Sequence, residues 1–255
     1  MSRAAKRPST RQGTAPEAAR RGDTRMRLIE TAEKLVAQHG IDGITAKQII
    51  QAAGVRNESA LQYHFGSRSA LIDAIFELRM SPINAHRLDM LAELDGRGSA
   101  PTIRDIVRVL VLPLAQSLIS SRRKSYYCRF LERAQSSPEH VNNLIQRRHY
   151  SSVLGCAAHF RYLCANLPHA VTNQRLSIAL KTLGQGAADI ERRLSDPAQV
   201  VSREQIEAEI GNLTDCIVGI MSAEVVDGKA MAAQRAARPV TTPDGAARRN
   251  RQPSR

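Results

Sequence analysis

Apolar positions recur with a helical period along most of the chain. Leu28, Ile29, Ala32, Leu35 and Val36 fall on one face of a helix and predict an element over 24–38. His39-Gly40 closes it with a glycine stop. Thr45-Ala46-Lys47-Gln48 has the form of a capping box, in which Thr and Gln satisfy each other's backbone amides. A short helix follows it and ends at Ala53-Gly54. A third short helix is expected from about Asn57 to His64. Ser67 caps a fourth, whose apolar face is Leu71, Ala74, Ile75 and Leu78. Farther on the period continues in longer segments, roughly 82–94, 101–120, 122–135, 139–166, 169–194 and 203–226. No segment alternates as a strand would and no repeat is evident, so the expected fold is all-α.

The last two segments carry the most regular pattern. Leu176, Leu180, Leu183, Ala187, Ile190 and Leu194 step by four and three, as do Ile206, Ile210, Leu213, Ile217 and Ile220. Such seams suit long helix contacts at a shallow angle. Val218, Met221 and Val225 add a second stripe, and a helix with two apolar faces needs two sets of partners. Two helices from each of two chains would form a four-helix bundle with two-fold symmetry. Packing within one chain is the other reading of the same seams. The subunit contact expected here is Leu176, Leu180, Leu183, Ala187, Ile190, Ile210, Leu213, Ile217 and Ile220.

Charge changes the picture at the ends. The formal charge is +13 over 255 residues. Residues 1–23 hold six basic side chains against two acidic ones, and residues 227–255 hold seven against two. Residues 1–22 and 227–255 have little to bury and are expected to be disordered tails. Their charge attracts polyanions regardless of sequence, whether nucleic acid or an acidic membrane surface. The basic start lacks the apolar stretch of a secretory signal, although it shares the acid-poor look of a transit peptide. No apolar run approaches membrane-spanning length. The four cysteines, Cys128, Cys156, Cys164 and Cys216, lack CxxC spacing and read as reduced thiols of a cytoplasmic protein. Cys156, His159 and Cys164 fit no familiar metal spacing. No phosphate loop, Ser-His-Asp layout or carboxylate pair points to an enzyme, and neither cofactor nor metal is expected.

The segment Thr45–Phe65 has the layout of a helix-turn-helix. Gly54 supplies a turn free of Cβ clashes, and Ile49, Ile50, Val55 and Leu61 can pack the pair against the first helix. The run GITAKQIIQAAGVRNESALQYHFGSRSALIDAIF resembles the DNA-binding domain of the tetracycline-repressor (TetR) family. The matching elements are the helix 24–38, Gly40, Ile44-Thr45, Ile49, Ala53-Gly54-Val55, Tyr63-His64-Phe65, Ser67-Arg68 and Leu71, and they cover about residues 24–78. The recognition segment is one residue longer than is usual there. Gln62 stands at the family's first Tyr, and Arg68 where Lys is common.

The resemblance implies a DNA-binding domain over 23–80 and an effector-binding and dimerisation domain over 81–226. It implies a homodimer on palindromic operator DNA, acting as a repressor that a small apolar effector releases. Thr45, Lys47, Arg56, Asn57, Ser59, Gln62, Tyr63 and Arg68 are the expected DNA contacts. Arg, Asn and Gln can read base edges in pairs of hydrogen bonds. Tyr63 and Arg68 match family positions that hold phosphate, and His64 and Phe65 are expected to pack. Tyr126, Tyr127, Phe130, His159, Phe160 and Tyr162 are the candidate effector pocket, with core packing as the simpler role. The rival function is a nonspecific nucleic-acid binder driven by the tails.

Overall fold

The computed structural model describes residues 15–120, 125–135 and 151–225, which are helices joined by turns. Helix α1 spans Ala15–His39, α2 Ala46–Ala52, α3 Ala60–Phe65 and α4 Arg68–Gly96. Then come α5 (Ile103–Ser120), α6 (Tyr127–Gln135), α7 (Ser151–Leu163), α8 (His169–Leu194) and α9 (Arg203–Ser222). The parts of the expected helices that fall on 121–124, on 136–150 and beyond 225 lie outside the described residues, as do residues 1–14 and 226–255 of the two tails.

The first four helices follow from local sequence. The capping box forms as expected: the Gln48 amide donates to Thr45 Oγ1 at 3.3 Å and the Thr45 amide to Gln48 Oε1 at 2.7 Å. Helix α2 ends where Gly54 adopts φ 63°, and the Val55 amide reaches back to the Ile50 carbonyl at 3.2 Å. A residue with a Cβ is strained at that φ, so the turn depends on glycine. Ser67 accepts from the Ala70 amide at 3.1 Å and starts α4.

Three boundaries differ from expectation. Helix α1 begins at Ala15, inside the segment expected to be disordered. Pro16 sits in its first turn, where a missing N–H costs nothing, and Ala and Arg are strong helix formers. Helix α3 begins at Ala60, because Asn57 Oδ1 first takes the Ser59 amide at 2.9 Å in a local turn. Helix α4 is one helix through Pro82, across the expected domain boundary after residue 80. Pro82 and Leu78 both face solvent, so water can satisfy the carbonyl that the proline leaves without its amide.

One core runs through all nine described helices. Leu28, Ile29, Val36, Ile49, Leu61, Leu71 and Ile75 close the N-terminal part. Ile106, Leu110, Phe130, Phe160, Ala187 and Ile217 occupy the C-terminal part. Helix α6 lies between α1 and α8, and α5 lies between α4 and α9. Helices α8 and α9 approach closely at Gly186, where an added Cβ would stand 2.8 Å from Leu213 Cδ1. Arg193 of α8 pairs with Glu209 of α9 across the same joint.

The helical seams are therefore largely internal. Leu176, Leu183, Ala187, Ile190, Ile210 and Ile217 are buried by their own chain. They leave little surface of their own, so within the chain the two seams pack against its own helices. Leu180, Leu213 and Ile220 are half-buried against the same core.

The expected aromatic pocket also disperses. Tyr127, Phe130 and Phe160 are core, with Phe76 and Phe130 ring centroids 4.8 Å apart. Tyr162 is 73% exposed. His159 lies 3.6 Å from Asp95, and Tyr126 lines a cavity along α1 with Arg79 of α4. Neighbouring residues of a helix are turned about 100° from one another, so adjacency in sequence did not bring these rings to one wall.

Deleting a core ring and deleting a surface ring must then differ. Phe130→Ala is expected to lose about 3–5 kcal/mol of unfolding free energy in urea titrations. Tyr162→Ala is expected to stay within about 0.5 kcal/mol of the parent.

Candidate nucleic-acid interface

The reading head is α2, the turn 53–59 and α3, packed on α1. Ile49, Ile50 and Leu61 point inward and are buried, and Val55 is half-buried against them. Burial of each large aliphatic side chain contributes about 1.5–3 kcal/mol, enough together to fix the two short helices on α1. With those positions facing in, Lys47, Arg56, Asn57, Glu58, Ser59, Gln62 and Tyr63 face solvent. Tyr63 is 63% exposed, high for an aromatic residue.

Each expected contact residue has a definite local setting. Thr45 spends its hydroxyl on the cap of α2, donating to Gln48 Oε1 at 2.9 Å while accepting from the Gln48 amide. Asn57 shapes the turn before α3. Ser59 precedes α3 but makes no capping bond with its side chain. Arg68 opens α4 and is half-buried. Its Nε and Nη2 are out of water and have no hydrogen-bond partner among the described residues. Leaving such donors unmet costs about 1–3 kcal/mol.

The foot of the reading helix carries residues that the sequence pattern did not single out. The Arg21 guanidinium lies 5.9 Å from the Tyr63 ring centroid, and the Arg25 guanidinium 5.2 Å from that of Phe65. Between the two rings, His64 packs edge-on against Tyr63 at 5.0 Å. Burial, then the charges of Arg25 and Arg21, hold the His64 imidazole below its ordinary pKa. Phe65 is half-buried and packs against the core.

A second group of unanticipated residues ties this head to the rest of the chain. Glu33 of α1 is buried and accepts from Arg79 Nε of α4 at 2.8 Å and from the Tyr126 amide, just before α6, at 3.3 Å. Glu191 of α8, also buried, accepts from the Cys128 amide at 3.1 Å and from the Arg129 amide and Nε at 3.0 and 3.1 Å. The start of α6 is thus held from α1 on one side and from α8 on the other. Free amides at a helix start favour negative charge, which is why two carboxylates can gather there. Arg129 balances them, donating also to Ser125 O and Ser195 Oγ at 3.0 and 3.1 Å, and its guanidinium stands 4.5 Å from the Tyr126 ring centroid. Burial raises the Glu33 carboxyl pKa, Arg79 lowers it, and the nearby Glu191 adds a smaller upward push. The one signal in the sequence was a glutamate within the apolar stripe of α1.

A cavity of about 460 Å³ opens beside this junction, lined by Glu30, Lys34, Gln38, Arg79, Ser125 and Tyr126 among others. A separate cleft of about 380 Å³ lies between α7 and α8, over Val153, Leu154, Ala157, Leu176 and Leu180, with Arg161 and Lys181 at its rim. Among the described residues no three His, Cys, Asp or Glu side chains gather as metal ligands, and no helix is long and apolar enough to cross a membrane.

Comparison with known proteins bears on the head directly. Residues 28–75 match the family model described as "Bacterial regulatory proteins, tetR family". The chain is 26% identical over 102 residues to the HTH-type transcriptional regulator AcrR of Shigella flexneri, a match covering 40% of this chain and 45% of that protein. The chain thus aligns with less than half of that relative's length. Among solved structures, a TetR family transcription regulator from Marinobacter aquaeolei VT8 aligns with TM-score 0.49 and 17% identity, over 78% of this chain and 97% of the other. AmtR of Mycobacterium smegmatis aligns with TM-score 0.47 and 17% identity, over 91% and 100%.

The junction makes a pH-dependent prediction. A carboxyl whose pKa is raised by folding favours the folded state while protonated, and that contribution is lost as pH rises from the unfolded value towards the folded one. Glu33→Gln keeps an acceptor for Tyr126 without the charge. Relative to this variant, the parent chain is expected to lose stability as pH rises through and above 4.5, then run parallel to it. Urea unfolding of both proteins from pH 4 to 8 measures the difference.

Proposed function

We propose that the chain is a regulator of the TetR kind, which binds DNA sequence-specifically through the N-terminal segment that matches that family's model. The observation that carries this reading is the exposed face of the reading head. Arg56, Asn57, Ser59, Gln62 and Tyr63 stand on one outward surface while Ile49, Ile50 and Leu61 anchor it from behind. This is the arrangement by which a second helix enters a major groove.

The residues divide by chemistry. Arg56 and Gln62 carry the donors and acceptors suited to base edges. Lys47, Tyr63 and Arg68 suit phosphate, with Thr45 fixing the start of α2 beside them. Asn57 and Ser59 shape the turn and lie close enough in sequence to join the contact. No step of this activity requires a cofactor or catalysis.

The active form is proposed to be a homodimer on palindromic DNA, in the cytoplasm. With the seam residues buried internally, the surface left for a second copy is the outward side of α8 and α9. That side presents Ile178 and Cys216 and is flanked by the half-buried Leu213 and Ile220. Repression, with release by a small-molecule effector, is supported by the ties of α6. A ligand that shifts α6 or α8 would pull on Glu33 and so on α1, the platform of the reading head. Binding of effector and of DNA would then weaken each other by the same factor.

Base readout and phosphate contact separate in a competition assay against duplexes substituted one position at a time. Gln62→Ala and Arg56→Ala are expected to flatten preference at particular positions, by about 1–3 kcal/mol each. Tyr63→Phe and Arg68→Gln are expected to weaken all duplexes alike. A parent protein with no preference among duplexes would overturn the reading and favour binding driven by the basic tails. In the dimer, Cys216 is expected to react slowly with a thiol reagent and to become fast on dilution to monomer. The other three thiols, all buried and pushed up in pKa, Cys156 to about 12, stay slow until unfolding.

A further inference from the structure

We propose that the cleft between α7 and α8 binds an amphipathic organic anion, an aliphatic chain with one acidic head, and that this ligand is the effector that releases DNA. The proposal rests on the regulator reading above and names the chemistry of its effector.

Charge separates this cleft from two others. Beside α1, the cavity of about 460 Å³ holds Lys34 and Arg79 together with Glu30 and Glu33, and Arg79 meets Glu33 at 2.8 Å. Between α5 and α9, a cleft of about 550 Å³ holds Arg104 and Arg203, which meet Asp215 and Glu207 at 2.6 and 2.7 Å. Both clefts supply their own carboxylates. The cleft of about 380 Å³ between α7 and α8 does not. Arg161 and Lys181 line it, no acidic side chain does, and neither cation has a carboxylate partner among the described residues.

The walls are apolar. Leu154, Ala157 and Arg161 recur at three and four residues along α7, and Asn173, Ser177 and Lys181 at four along α8. Such spacing puts each set on one face of its helix. Val153, Ala157 and Leu176 are buried and Leu180 is half-buried, but Leu154 is 56% exposed. An aliphatic chain laid against Leu154 and Leu180 removes apolar surface from water. An acidic head gives the cations the partner that the chain does not provide, and Gln135, Asn173 and Ser177 add neutral donors. A neutral ligand leaves both charges unanswered, and a cationic one is repelled. The volume lies at the low end for small-molecule sites, which suits one chain of medium length. Helix α8 also carries Glu191, so one helix supplies both a wall of the cleft and a tie to the start of α6.

The probe is decanoate, added to the full-length protein below its micelle-forming concentration and followed by titration calorimetry without DNA. Decanoate is expected to bind more tightly than decanol, and decylamine is expected not to bind. Decyl phosphate is run beside decanoate, and the tighter of the two identifies the head group. The double variant Arg161→Gln, Lys181→Gln changes only side chains at the rim and is expected to keep the parent melting temperature. It is expected to lose about tenfold in affinity for the anion and to keep its affinity for decanol. A second arm measures binding to a duplex bearing the site that the parent selects from a random-sequence library. Decanoate is expected to weaken that binding for the parent and far less for the double variant. No binding of either anion, equal binding of decylamine, or equal affinity in parent and double variant would overturn the site and leave the DNA-binding reading standing. Anion binding with no effect on DNA would overturn the effector role. Failure of the parent to select any site would overturn the regulator reading, while the calorimetry still decides the site.

Discussion

Two carboxylates with almost no access to water converge on the first turn of α6, and the two ends of the molecule are joined through them. Glu33 comes from the helix that carries the reading head, and Glu191 from the long helix α8. A buried carboxylate is costly unless its oxygens are met, and removing one partner of such a pair is more damaging than never having built it. The start of α6 meets that demand with backbone amides from Tyr126, Cys128 and Arg129 and with the Arg129 side chain, while Arg79 of α4 meets it from the other side. The same bonds that make the carboxylates tolerable therefore prevent α1, α4, α6 and α8 from moving independently. Arg192 extends the joint outward by pairing with Glu132 of α6 and Asp189 of its own helix. The reading head and the C-terminal helices are thus joined through the start of α6.

Much of the fold was legible because it follows from local chemistry. The capping box at Thr45, the turn at Gly54 and the start of α4 at Ser67 each involve residues within five positions of one another. The apolar stripe that docks the head shows directly in Ile49, Ile50 and Leu61. Where the reading went astray, the deciding contact was distant or the pattern was silent. The first turns of α1 have no apolar period to reveal them, being rich in alanine and arginine. The apolar pattern splits near residue 80, yet α4 runs on through Pro82, because that side of the helix faces water. The seams of α8 and α9 gave their helices correctly but not their partners. Spacing tells which face is apolar, and Leu183 or Ile217 fits equally well against its own chain or another.

The candidate site divides the same way. Its outward residues could be named from the head alone, since inward-facing neighbours leave them no other direction. Arg21 was hidden because its segment was read as a tail, and Arg25 because an exposed arginine on a helix ordinarily means only a solvated face. The Glu33 and Glu191 ties were beyond reach, for Tyr126 lies 93 positions from Glu33, and Cys128 lies 63 from Glu191. A glutamate inside the stripe of α1 marked a demand for partners without saying which. The aromatic cluster misled for a related reason: nearness in sequence within a helix spreads side chains around it.

The most direct test of a dimeric, sequence-reading regulator is recovery of bound fragments from genomic DNA with the full-length protein, repeated at rising salt. The account predicts a two-fold symmetric motif whose half-sites lie about one helical turn apart, still enriched when salt has stripped away nonspecific binding. Recovery of fragments with no shared motif, and their uniform loss as salt rises, would contradict it.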